Sequence, residues 1–136
     1  MQLSSAFLCD FASIRGGLLS IIGGGITRLW RGGYPAPLNL CVALVVELEP
    51  RELGRPHEFA VTIVDADGNR IAEARGGLNV LVADREDGEN VSAPLALDLR
   101  NVPLPKDGSY SAEVRLDGNP ARSLPFWART GAAPQM

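Results

Sequence analysis

The segment SYSAEVRLD constrains the fold more tightly than any other stretch of the chain. Tyr110, Ala112, Val114 and Leu116 alternate with Ser111, Glu113, Arg115 and Asp117. A period of two is what a strand needs when one face lies in a core and the other in water. A helix would scatter those four apolar side chains around its surface. HEFAVTIVD repeats the pattern with Phe59, Val61 and Ile63, and APLALDLRNV with Leu95, Leu97 and Leu99. LNLCVALVVELE is apolar at almost every position from Leu40 to Val46 and then alternates, which suits a central strand covered on both faces at one end.

Turn chemistry points the same way. Asp-Gly occurs at Asp67-Gly68, Asp87-Gly88, Asp107-Gly108 and Asp117-Gly118, and this dipeptide suits tight turns because glycine, and to a lesser extent aspartate, accepts positive φ. The first should join FAVTIVDA to NRIAEA, and the last Tyr110–Leu116 to Ala121–Ala128. No segment carries a sustained helical stripe with caps, and ten prolines and fifteen glycines discourage long helices. The expectation is an all-β, single-domain antiparallel β-sandwich, immunoglobulin-like or of a similar two-sheet architecture, over residues 1–129, with a flexible C-terminal tail at 130–136.

At 136 residues the chain can bury about two thirds of its unfolded surface, so no disulfide or metal staple is needed. A net charge of −3 argues against a nucleic-acid partner, which would call for clustered cations. The apolar opening MQLSSAFLCDFASIRGG does not read as a secretory leader: no Lys or Arg precedes Arg15, and Asp10 interrupts the run. Phe7 and Leu8 before Cys9 do not fit a lipid-modified cysteine. A cytoplasmic protein with no membrane association is expected. Cys9 and Cys41 each sit in an apolar run, which favours buried free thiols over a disulfide.

The order of features is itself informative. AFLCDFASIRGGLLSIIGGGITRL, a YPAPLNL break, a long apolar strand, HEFAVTIVDADGNRIAEA and LPKDGSYSAEVRLDGNPARSLPFWA together resemble a bacterial family of unknown function, the DUF6941 family. The resemblance implies a compact β-sandwich without an assigned reaction, so it carries no catalytic residues to this chain.

Few residues carry the pattern of a known chemistry. Gly23–Gly25 lack the Gly-Lys-Ser/Thr of a phosphate loop and are followed by the strand-like ITRLW, so a bent or bulged strand is expected. Asp65, Asp67 and Asn69 open like a calcium loop, but the twelfth position is Gly76, and a hairpin turn fits better. A zinc set of Cys9, Cys41 and His57 would need further ligands. No catalytic residue, metal or cofactor is expected, and the chain is read as not an enzyme. The aromatic residues offer the better lead. WRGGYPAP places Trp30, Arg31 and Tyr34 in what reads as a flexible stretch, and His57 is the only histidine; these four are the candidate binding residues. Trp30 and Trp127 could instead cap the core at its ends. The expected function is a noncatalytic module that binds another protein or its own copy, through an exposed edge strand among other routes. The alternative is a small-ligand or carbohydrate-binding domain using the aromatics near Trp30 and Tyr34.

Overall fold

The computed structural model describes residues 1–134. Eleven strands follow one another: β1 (Gln2–Arg15), β2 (Leu18–Gly24), β3 (Arg28–Arg31), β4 (Ala36–Pro37), β5 (Cys41–Leu48), β6 (His57–Asp65), β7 (Arg70–Leu78), β8 (Val91–Asp98), β9 (Pro103–Leu104), β10 (Gly108–Leu116) and β11 (Asn119–Thr130). A single 3-10 turn, Pro50–Glu52, follows β5. One sheet has the order β2-β1-β5-β8, the other β3-β11-β10-β6-β7, and β4 pairs with β9. Their inner faces pack together as a β-sandwich.

One pairing departs from the expected antiparallel pattern: β3 runs parallel to β11, with Leu29 beside Ala128 and Trp30 beside Arg129. The chain leaves β2 through Gly24 and Gly25 and crosses to the other sheet instead of turning back, and a crossover is what permits parallel neighbours. Gly25, at φ +86, and Ile26 both donate to the Leu8 carbonyl, which holds the crossing in place. The glycine run is therefore the point where the chain changes sheets.

The alternating segments bury the residues their pattern selected. Val61, Ile63, Ala112, Val114 and Phe126 face Leu8, Val42, Leu44 and Leu97 across the core. Removing a side chain such as Phe126 from water contributes about 1.5–3 kcal/mol. Tyr110 stacks on Phe126 with ring centroids 5.5 Å apart, and its hydroxyl donates to the Lys106 carbonyl at 2.6 Å. A buried ring whose polar tip bonds back to the backbone four residues upstream locks the turn leading into its own strand, an arrangement like the tyrosine corner found in other β-sandwiches.

β5 is apolar on both sides for a reason visible at its first half. The distal part of β1 and all of β2 form a hairpin that curls toward β8, and Ala12, Leu19 and Ile21 pack on Cys9, Cys41 and Ala43 in a second small core. The DADGN turn closes β6 onto β7: the Asp65 carboxylate accepts the N–H groups of Asp67 and Asn69 at 3.0 and 2.8 Å, so it serves the backbone. Of the expected tail, Thr130 belongs to β11, the Gly131 N–H donates to the Arg31 carbonyl, and residues 135–136 lie outside the described residues. No described helix is long and apolar enough to cross a membrane.

Candidate functional site

The four candidate binding residues lie at opposite ends of the sandwich. Trp30, Arg31 and Tyr34 sit beside the start of β10, where Gly108 pairs with Ala128. His57 sits beyond its far end, next to Asp117. The nine residues of β10 span roughly 27 Å between them at the rise of an extended strand. They cannot form one site.

Arg31 and Tyr34 hold the loop they belong to. The Arg31 guanidinium donates to the carbonyls of Trp30, Pro37 and Leu38 at 2.7, 3.1 and 2.5 Å. The Tyr34 hydroxyl donates to the Arg129 carbonyl at 2.8 Å, and its ring packs against the main core. The expected flexible connection is thus a fixed one, because its own polar side chains satisfy the carbonyls that the irregular backbone leaves open.

Trp30 and Trp127 are different. Leu29 on β3 and Phe126 and Ala128 on β11 point inward, so the intervening tryptophans point outward from the same sheet. Neither joins a core cluster, and the core-cap expectation fails for both. Together with Asp107, Arg129 and Thr130 they line a shallow groove.

His57 is buried and engaged on both ring nitrogens. Nδ1 lies 2.8 Å from Asp117 Oδ2, and Nε2 lies 2.7 Å from the Glu52 carbonyl. Both partners offer acceptor oxygens, an arrangement that favours the doubly protonated imidazolium over the neutral ring. The Glu52 carbonyl and the Asp117 carboxylate accordingly raise its pKa above the ordinary value, outweighing burial. Asp117, held at φ +49 in the β10–β11 turn, also accepts the Glu58 N–H at 2.9 Å. His57 closes one end of the sandwich and has no free nitrogen for a ligand.

Cys9 and Cys41 sit directly opposite each other on β1 and β5, buried and unpaired, far from His57. Burial first, and the neighbouring Cys41 second, push the Cys9 thiol up to about 11, which suppresses the nucleophilic thiolate. Among the described residues no group of three or more metal-ligating side chains converges.

The surface that stands out is one that the sequence reading passed over. Among the described residues seven large hydrophobic side chains are exposed, and five of them, Phe7, Phe11, Ile14, Leu18 and Ile22, belong to β1 and β2. Phe11 pairs with Ile22, and the Arg100 guanidinium lies over the Phe11 ring at 5.6 Å. Arg100 is itself bonded to Asp98 on β8, whose carboxyl it holds down at about 2. The hairpin is therefore anchored, and its outer face presents Phe11, Leu18 and Ile22 interleaved with Ser13, Ser20 and Arg15. A signal was present: Arg15-Gly16-Gly17, with both glycines at positive φ, is a turn between two apolar runs.

Residues 4–129 match the model of a family described as a family of unknown function, DUF6941. No curated protein and no solved structure matches the chain.

Proposed function

We propose that this chain, which belongs to the DUF6941 family, is a noncatalytic association module that contacts a protein partner through its β1–β2 hairpin. The exposure of Phe11, Leu18 and Ile22 on one face of these two paired strands carries the reading, since large exposed apolar side chains gathered on one surface are a common mark of an interaction site. The noncatalytic part is supported by the full engagement of His57 and the raised pKa of Cys9. The test is affinity capture from the native lysate with the wild-type chain and a Leu18→Ser/Ile22→Ser variant of matched thermal stability. Proteins held by the first and lost by the second support the hairpin. Identical recovery by both would refute it.

A second reading rests on the outward-facing Trp30 and Trp127. Their groove offers indole surface beside the carboxylate of Asp107 and the guanidinium of Arg129, a combination suited to a sugar or another small polar ring. Tyr34 takes no part in it. Quenching of tryptophan fluorescence by an oligosaccharide panel, lost in Trp127→Ala, would support this reading; an unchanged spectrum throughout the panel would remove it.

A further inference from the structure

We infer that the partner of the β2 edge is a second copy of this chain, added as an antiparallel strand across a twofold axis at Ser20. This rests on the reading of the hairpin as an association surface and names its occupant.

The two large sheets have four edge strands, and three carry the features that discourage pairing. β7 bears Arg70, Glu73 and Arg75; β8 bears Pro94 and Asp98; β3 is only four residues long and has an arginine at each end. β2, Leu-Leu-Ser-Ile-Ile-Gly-Gly, has neither charge nor proline. Its side chains at the two ends of the apolar part, Leu18 and Ile22, are 73% and 65% exposed.

The sequence of this edge is chemically symmetric. The apolar part of β2 is Leu18–Ile22, followed by Gly23 at φ +64, and its midpoint is Ser20. An antiparallel copy centred there sets Leu18 against the partner's Ile22 twice, Leu19 against the partner's Ile21 twice, and Ser20 against itself. The register within the hairpin extends the match outward. Ser13 lies opposite Ser20, Ile14 opposite Leu19, Ala12 opposite Ile21 and Phe11 opposite Ile22. The middle row of the resulting four strands is serine throughout, its neighbouring rows are apolar, and Arg15 meets no like charge. A foreign strand would need to supply this pattern; a second copy has it by symmetry. The contact covers on the order of 1,000 Å² in total or less, the range of weak and reversible interfaces.

The experiment is sedimentation velocity on the purified full chain across a concentration series, with two variants. The expected result is a monomer–dimer equilibrium, and Ile22→Lys should raise its dissociation constant by about 100-fold, since each dimer carries the substitution twice at a cost of about a factor of ten each. Ser20→Cys should form an intermolecular disulfide under mild oxidation, two thiols giving up two protons and two electrons to added oxidised glutathione. Ser13→Cys, one strand further from the axis, should not. Circular dichroism melts check that Ile22→Lys still folds. A wild-type chain that stays monomeric at every soluble concentration overturns the inference, as does a dimer that Ser20→Cys fails to link. If the chain is monomeric while the captured proteins still depend on Leu18 and Ile22, the second copy is wrong and the association surface survives.

Discussion

At the scale of single residues, polar side chains in this protein chiefly close the backbone. His57 joins the 3-10 turn to the β10–β11 turn, and its contribution has a definite pH signature. Its native pKa is raised, so the stabilisation is fully present below the ordinary histidine value near 6.5 and is lost as pH rises through the native value. The Asp117 pKa is lowered: burial opposes the shift, but the Glu58 N–H and His57 outweigh it, so its contribution is lost as pH falls through that depressed value. Chemical denaturation of wild type and His57→Gln should therefore differ by about 1–3 kcal/mol at weakly acidic pH, and the gap should shrink as the solution turns alkaline. A gap independent of pH would show that the imidazolium is not the stabilising form. Trp30 and Arg31 are adjacent in sequence and should behave oppositely. Trp30→Ala, outside every core cluster, should shift stability by no more than about 0.5 kcal/mol. Arg31→Ala strips three carbonyls of their donor and should cost about 1–3 kcal/mol in the same assay.

At the scale of elements, two strand pairs show how the sheets are matched. In β6–β7 the Phe59 ring lies over Gly76, where a Cβ would collide with it. Gly76→Ala should cost about 1–3 kcal/mol by forcing the ring aside. Pairing it with Phe59→Leu should recover part of the loss, a coupling that a double-mutant cycle reads directly. In β1–β2, Gly23 sits at a positive φ with the Asp10 side chain where its Cβ would point. Gly23→Ala should therefore loosen the hairpin, which hydrogen exchange would report as faster exchange of β2 amides than of β10 amides. Polar substitutions at Leu18 and Ile22 should leave the melting temperature of dilute protein unchanged, because neither side chain lies in a core cluster.

At the scale of the whole molecule, folding and association are linked by mass action. A native-state dimer makes the melting temperature rise with protein concentration, and Ile22→Lys should flatten that dependence without changing the dilute limit. The sandwich itself was largely legible in the sequence. Alternation at Tyr110–Leu116 and at Phe59–Ile63 selected the buried faces, and Asp-Gly at positions 67–68 and 117–118 marked two hairpins, because strand periodicity and turn φ are local properties that residues a few positions apart determine. The surfaces were not legible. Whether Trp30 caps a core or faces water depends on the direction of β3, which is set by a crossover and a parallel partner about 100 residues away. Whether His57 and Tyr34 share a site depends on which end of β10 each reaches. The apolar run from Leu3 to Ile22 could have been buried throughout; the curl of β1 and β2 toward β8 buries Cys9, Ala12, Leu19 and Ile21 and leaves Phe11, Leu18 and Ile22 outside. Local sequence by itself determined strands, turns and the inner face of each sheet. Only the tertiary structure decided which leftover side chains meet, because that depends on distances between segments that no local interaction encodes.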